Sequence, residues 1–128
     1  MREESSKKFL KQASEFLVDA RLLLAEDRLR SAADRIYYAF YWAAQAALIK
    51  HGIITKTHRG LMSQFGKEFV SKGITSREFF KAMEDAFEIR QESTYDIDVV
   101  IEKVNVEELL NTAAKFISRI YNPRLIEY

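Results

Sequence analysis

The longest uncharged stretch of the chain separates Arg35 from Lys50 and contains one amide, Gln45, among apolar and aromatic side chains. Apolar residues recur there at alternating steps of four and three, the spacing of one helix face: Leu29, Ala33, Ile36, Phe40, Ala43 and Ala47. A second series runs beside it: Ala32, Ala39, Ala46 and Ile49. The uncharged run is shorter than the roughly 20 residues that cross a bilayer. The pattern therefore predicts the central helix of a soluble bundle.

The same periodicity predicts a first helix from Glu4 to Ala25 and a third from His58 to Ser71. The short link at Glu26 and Asp27 implies an antiparallel hairpin, with Asp27 as the N-cap of the central helix. Two glycines, Gly52 and Gly73, are expected to end the second and third helices, the latter in a Schellman motif. Gly66 inside the third helix is expected to allow close approach of another helix.

A fourth helix is predicted to open with a capping box made by Thr75 and Glu78. Its buried face (Phe79, Phe80, Met83, Ala86 and Phe87) places Arg90 at the next inward position. A buried arginine without acceptors is very costly, so Arg90 must find them or meet another surface. The alternatives are that Arg90 extends toward solvent at the helix end, pairs with a carboxylate of the first helix, or has a functional role.

Residues 95–104 are rich in β-branched side chains and are interpreted as an ordered connector, with a helical continuation or a short strand as alternatives. The last helix is predicted from Asn105, paired with Glu108 in a capping box, to Tyr121, followed by the short tail 124–128. The fold class predicted is all-α: an antiparallel up-and-down four-helix bundle with an additional short helix. Residues 1–128 are expected to form one domain.

The amino-acid composition excludes several kinds of chemistry. The chain lacks cysteine, which removes disulfides and thiol catalysis and favours a cytoplasmic protein, and its amino terminus has no apolar signal segment. No cofactor or metal motif is present, so we expect no cofactor and no metal. The net charge of +1 requires that any nucleic-acid contact come from a local patch. The segment 50–72 is the most basic, and it contains Arg59.

Three segments together resemble the small single-domain branch of the HEPN superfamily found in archaea and bacteria. They are Arg35-Ile36-Tyr37-Tyr38-Ala39, the run Thr57-His58-Arg59-Gly60-Leu61 followed by Phe65 and Gly66, and Arg90-x4-Tyr95-Asp96. The resemblance implies a helical bundle that forms a homodimer and is often encoded beside a minimal nucleotidyltransferase as a toxin–antitoxin pair. Active members are metal-independent ribonucleases in which an Arg-x4-6-His motif from each protomer meets its twin.

This chain has Tyr95 where that motif has histidine, and Thr94 where the branch usually has an acidic residue. A phenol, with a pKa near 10, is a weak base at pH 7, whereas Arg90 can still stabilise phosphate charge. On a regular helix Arg90 and Tyr95 lie about 140° apart, so they converge only if the helix ends or distorts between them. His58, at a helix N-terminus, is the remaining candidate base.

The replacement of the motif histidine by Tyr95, and of the usual acidic residue by Thr94, favours a binding module over a nuclease. The favoured hypothesis is the HEPN half of a pair with a nucleotidyltransferase, binding nucleotide or RNA phosphate at a dimer cleft. The alternatives are an active metal-independent endoribonuclease toxin and a purely structural helical dimer. The candidate catalytic residues are Arg90, Tyr95 and His58. The candidate binding residues are Arg90, Tyr95, Asp96 and Arg59, and Tyr95 is also the candidate acceptor of a transferred nucleotidyl group.

Two further expectations concern arginine and assembly. Arg35 is expected to be buried and held inside the protomer by a carboxylate such as Asp19 or Asp34, with a structural role. A homodimer is expected because Arg90 and the second apolar series of the central helix present more surface than one small bundle can cover. The expected partners are thus a second copy, a nucleotidyltransferase, and RNA or a nucleotide, with no membrane.

Overall fold

The computed structural model describes residues 1–121, and all regular structure in that range is helical. The helices are α1 (Arg2–Ala25), α2 (Leu29–Ile49), α3 (His58–Phe65), α4 (Arg77–Tyr95) and α5 (Lys103–Tyr121). The four long helices form the bundle and α3 is the additional short one, which confirms the predicted all-α class. The tail 124–128 lies outside the described residues. None of the helices within residues 1–121 is long and apolar enough to span a membrane.

The centre of the bundle is α2, as its two apolar series predicted. Its large side chains Ile36, Phe40 and Leu48 are fully buried, and α1, α4 and α5 all pack against it. Among the helices of residues 1–121, the contact between α1 and α2 is the most extensive. There the Ser6 hydroxyl donates to the Ala46 carbonyl oxygen at 2.8 Å. Such a bond between neighbouring helices requires small side chains where they meet.

Small residues recur at steps of seven along both of these helices. Ser6, Ala13 and Ala20 of α1 and Ala32, Ala39 and Ala46 of α2 are all buried. Because both helices have a small residue at every seventh position, an antiparallel arrangement that pairs Ser6 with Ala46 also places the other small residues opposite one another. The absence of long side chains there lets the two backbones approach. The second apolar series of α2 is therefore covered inside the protomer except for Ile49, which is partly buried.

The same hydrogen-bonded turn ends α1, α2 and the π-helical turn over Gly66–Val70 that follows α3. Leu48 and Phe69 carbonyls accept from the amides five residues later, with Gly52 (φ 76°) and Gly73 (φ 70°) in the left-handed position, which confirms both glycine predictions. After α1 the same turn forms with Asp27 at φ 56°, where the Arg28 amide bonds to the Leu23 carbonyl. Aspartate is one of the few residues that tolerate this conformation.

Three predicted caps are wrong. Asp27 terminates α1 rather than capping α2, whose N-cap is Arg28 without a side-chain bond. The Thr75–Glu78 capping box does not form, because α4 takes Ser76 as N-cap and Thr75 is buried. The box assigned to Asn105 and Glu108 fails because α5 already begins at Lys103.

The third predicted helix is divided into α3 and a π-helical turn over Gly66–Val70. A Cβ added at Gly66 would lie 3.1 Å from Phe80 Cε2 of α4, so the glycine does allow the close approach that was predicted. Residues 96–102 contain no strand or helix and connect α4 to α5, so the connector is confirmed there and is shorter at both ends than the predicted 95–104.

Candidate functional site

Arg90 lies where α4 packs against α2. Its Nε donates to Asp34 Oδ1 at 3.0 Å and its Nη2 donates to the Tyr38 hydroxyl at 2.9 Å. Its Nη1 makes a longer contact of 3.4 Å with the Gln91 amide oxygen. The Arg90 side chain is 26% exposed and that of Asp34 is 37% exposed. The guanidinium is thus fixed along one edge at the protein surface, and Nη1 is its least committed donor.

Two phenol rings support the same guanidinium. Its central carbon lies 5.4 Å from the Tyr37 ring centroid and 5.0 Å from that of Tyr38. Both distances are typical of cation–π contacts. Burial, followed by the neighbouring Tyr38 phenol, raises the pKa of Tyr37 to about 12, and the Arg90 cation opposes this rise. Tyr37 therefore stays a neutral phenol at any physiological pH.

His58 joins this network through Tyr37. Thr57 caps α3 by accepting from the Gly60 amide at 2.9 Å, which fixes the backbone at His58. The His58 ring stacks on Phe87 of α4, with centroids 3.6 Å apart and planes 6° apart, and its Nδ1 lies 3.2 Å from the Tyr37 hydroxyl. Burial lowers the pKa of His58, so the imidazole is neutral at pH 7.

Tyr95 is not brought to this network within the protomer. The helix α4 continues to Tyr95, so the distortion that would bring its side chain toward Arg90 does not occur. On that helix the two side chains point about 140° apart. Tyr95 is instead 81% exposed. The structure therefore separates the pair that the sequence motif suggested as one site.

Within residues 1–121 the other two candidate binding residues are not among the hydrogen-bond or ion-pair partners of Arg90. Arg59 is exposed in the first turn of α3. Asp96 is exposed just after α4, where its Oδ1 accepts from the Asp98 amide at 2.9 Å in a local turn. Of the sequence candidates, the structure unites Arg90 and His58 and leaves Tyr95, Asp96 and Arg59 on the surrounding surface.

Asp34, Tyr37 and Tyr38 were not among the predicted site residues. A fourth missed residue is Arg30, whose guanidinium donates to four backbone carbonyls at the end of α4 and in the connector. A signal was present in the sequence, because Arg30, Asp34 and Tyr38 follow one another at steps of four and so share one face of α2. That spacing does not reveal which other helix the face meets.

The expectation for Arg35 is wrong in its partner and in its burial. The side chain is partly exposed, and its guanidinium carbon lies 5.5 Å from the Phe16 ring centroid. Within residues 1–121 it has no ion pair, because Asp34 is bonded to Arg90 and Asp19 is exposed. An aromatic face at the surface satisfies an arginine without the desolvation that a buried ion pair demands.

The described residues contain no group of three or more histidine, aspartate or glutamate side chains that could hold a metal ion. What the site offers chemically is a fixed cation, three phenols counting Tyr41 beside Tyr37 and Tyr38, and a neutral imidazole. Hydrogen-bond donors of this kind suit an anion with several oxygens.

Comparison with known proteins identifies the class. The family model of the HEPN domain matches residues 6–122. A "UPF0332 protein" of Thermotoga maritima is 35% identical over 117 residues, which cover 91% of this chain and 87% of that relative. The chain therefore belongs to the HEPN family, as its motifs suggested.

Two relatives carry a functional name. "Putative toxin MJ0142" of Methanocaldococcus jannaschii is 29% identical over 112 residues, covering 88% of this chain and 76% of that protein. "Putative toxin MJ0605" of the same organism is 29% identical over 108 residues, covering 84% of this chain and 80% of that protein. The chain is thus similar in sequence, across most of its length, to proteins with toxin names.

Proposed function

We propose that this HEPN protein binds the phosphate groups of single-stranded RNA or of a nucleotide at Arg90. The observation that carries the proposal is the guanidinium itself, held by Asp34 and Tyr38 along one edge and still accessible at the surface. Its Nη1 donor can exchange the long contact with Gln91 for a phosphate oxygen. A preorganised arginine loses little conformational entropy on binding, which favours the ligand complex.

The surrounding groups fit such a ligand. A neutral His58 can donate a hydrogen bond without the repulsion that a second cation would add beside Arg90. If the Tyr37 phenol donates to His58 Nδ1, the hydrogen of the neutral ring is on Nε2, and Nε2 is then a donor and not a base. In that tautomer His58 offers a phosphate a hydrogen-bond donor and cannot itself remove a 2′-hydroxyl proton.

The proposal extends to partners. We infer that the protein is a homodimer and the HEPN half of a toxin–antitoxin-like pair with a nucleotidyltransferase. The two sequence features from which a dimer was expected no longer support it. The second apolar series of α2 is covered inside the protomer except for Ile49, and Arg90 has acceptors in its own chain. The support is now the exposed surface after Arg90, where Tyr95, Ile97 and Val100 are 81%, 87% and 84% exposed.

Tyr95 suits the role of nucleotidyl acceptor because its hydroxyl is open to a second protein. In that reaction the phenol oxygen attacks the α-phosphorus of a nucleoside triphosphate, pyrophosphate leaves, and the phenolic proton passes to a base. The nucleotide, a divalent metal and the base would come with the nucleotidyltransferase.

A second candidate function is metal-independent cleavage of RNA, and one observation favours it. In the tautomer in which His58 Nδ1 donates to Tyr37, Nε2 is an unprotonated nitrogen on a ring that is neutral at pH 7. Arg90 shares the Tyr37 contact and would stabilise the phosphorane charge. A purely structural dimer, without ligand, is the third possibility.

Binding is tested with a fluorescent single-stranded RNA in buffer containing a chelator. Native protein should bind, and raising the salt concentration should weaken binding. Arg90→Met should weaken it by about tenfold or more, as expected for losing a charge-assisted contact. Arg77→Met is the matched control, because it removes the same charge from an exposed position on the same helix. Equal losses in both variants, or no binding by native protein, would refute the Arg90 site.

The same mixtures, resolved on a gel after incubation, separate binding from cleavage. We expect intact RNA with native protein, and we expect cleavage to appear or increase in Tyr95→His if position 95 can supply a base. Brisk cleavage by native protein that is lost in His58→Gln and in Arg90→Met would instead establish the nuclease function.

A further inference from the structure

The last turn of α4 and the connector after it are tied to α2 by one side chain, Arg30. Its Nη1 donates to the carbonyl oxygens of Ser93 at 2.6 Å and Asp96 at 3.3 Å. Its Nη2 donates to those of Ile97 at 2.8 Å and Val99 at 3.1 Å. Carbonyl groups at a helix end have no partner within the helix, so this guanidinium provides the missing donors.

Arg30 and Arg90 form a reciprocal pair of contacts between the same two helices. Arg90 of α4 reaches back to Asp34 and Tyr38 of α2, and Arg30 of α2 reaches forward to the end of α4. The two contacts fix the α4 segment from Arg90 onward at both ends. Tyr95 lies within that segment, between Ser93 and Asp96, whose carbonyls Arg30 holds.

The held segment exposes apolar and aromatic side chains beside two carboxylates, those of Asp96 and Asp98. Tyr95, Ile97 and Val100 extend into solvent although the backbone between them is bonded to α2. Burial anchors the far end of the connector through Val99 and Ile101, but the side chains of residues 94–98 are exposed and add little to the core. The Arg30 guanidinium is the side chain of α2 that bonds to this exposed part, and a preordered surface binds with a smaller entropy cost.

We propose that Arg30 is a positioning residue for RNA binding: through four carbonyls it holds Tyr95 and the connector in one outward arrangement at the end of the helix that carries Arg90. The proposal rests on the proposed function for the role of that arrangement. The holding of Tyr95 itself can be measured without any ligand.

The ligand-free experiment uses protein labelled with 3-fluorotyrosine, which places a fluorine on each of the six tyrosines. The Tyr95 signal is assigned by its loss in Tyr95→Phe. Arg30→Lys keeps the charge but replaces the planar fork with a single ammonium. In this variant we expect the Tyr95 signal to shift and broaden, and amide hydrogens of residues 94–99 to exchange about tenfold faster or more.

Arg28→Met is the matched control, an exposed arginine two residues away, and it should leave the Tyr95 signal and those amides unchanged. Arg30→Gln is a second variant, so that the result does not depend on one replacement. Circular dichroism should show native helix content in all three. A native Tyr95 signal and native exchange in both Arg30 variants would overturn the proposal, as would equal changes in Arg28→Met.

The ligand experiment is a double-mutant cycle with the fluorescent RNA. Arg30→Lys should weaken binding about threefold or more through lost preorganisation. In a Tyr95→Ala background it should weaken binding clearly less, because one of the side chains that it positions is gone. A purely structural role would lower affinity equally in both backgrounds and would contradict the proposal. If native protein binds no RNA, the proposed function fails, and the fluorine and exchange results still decide whether Arg30 positions Tyr95.

Discussion

Two faces of the same helix, α2, serve different purposes. One face, with Ala32, Ala39 and Ala46, is fully buried against neighbouring helices and offers no group that can react or bind. The other carries Arg30, Asp34 and Tyr38, and it meets α4 through hydrogen bonds at a partly exposed surface. The alanine face determines how the bundle packs, and the polar face determines what the bundle can contact.

The difference has an energetic basis. On the alanine face, stability comes from close packing, and there is no free space for a larger side chain. On the polar face, each ion pair or hydrogen bond is hydrated in part and contributes little net stability. Substitutions should therefore separate the two properties: the alanine face controls folding, and the polar face controls binding.

The largest effect is expected from Ala39→Leu, which adds three carbon atoms where α2 is completely buried. Overpacking of a dense interior should lower the free energy of unfolding by about 1–3 kcal/mol, measured by urea denaturation. RNA affinity of the folded fraction should be unchanged. Ala25→Leu, at the exposed end of α1, is the control and should have little effect. If Ala25→Leu changed the free energy of unfolding and Ala39→Leu did not, the assignment of the alanine face as the packed one would be wrong.

A smaller effect is expected from Asp34→Asn on the polar face. The amide oxygen can still accept from Arg90 Nε, but the negative charge beside the proposed phosphate is removed. RNA affinity should rise about two- to fivefold at low salt, the size expected for one partly exposed charge, while stability changes by less than about 1 kcal/mol. Glu84→Gln, on an exposed position of α4, is the control. Unchanged affinity, measured by fluorescence anisotropy, would place the ligand away from Arg90.

The smallest effect is expected at His58 and depends on pH. Because burial lowers the pKa of His58 in the folded state below 6.5, the unfolded chain takes up a proton first as the pH falls. This contribution to stability is complete above pH 6.5 and is lost as the pH falls through the folded pKa. His58→Gln should flatten the decrease in urea midpoint between pH 7.5 and pH 5. His51→Gln, an exposed imidazole, is the comparison, and equal curves for native protein and His58→Gln would contradict the argument.

The sequence was sufficient for the apolar face and for most helix ends. Periodicity located the four long helices to within two residues at most ends, since a buried stripe repeats at the helical period. Gly52 and Gly73 marked two helix ends because few residues other than glycine enter the left-handed region. Asp27 was assigned to the wrong helix end because aspartate is suited equally to an N-cap and to that left-handed position.

The candidate site was predicted only in part. Arg90 was recognised because it occupied a core position, but its acceptor could not be chosen among the carboxylates without knowing which helix lay opposite. The carboxylate predicted for Arg35 was wrong for the same reason. Asp34 is adjacent to Arg35 in the sequence, but in the structure it accepts a hydrogen bond from Arg90. Arg30 was missed because its acceptors are backbone carbonyls. Every residue has one, so no sequence pattern identifies them.

The most direct test of the central claim observes Arg90 itself. In protein labelled with nitrogen-15 arginine, the Nε–H signal of Arg90 can be assigned by its loss in Arg90→Lys, since its bond to Asp34 protects it from exchange. On titration with single-stranded RNA, this signal should move in step with the binding curve, and the Arg77 signal should not. Saturation with RNA that leaves the Arg90 signal in place would show that the ligand binds elsewhere, and the account of the polar face would be wrong.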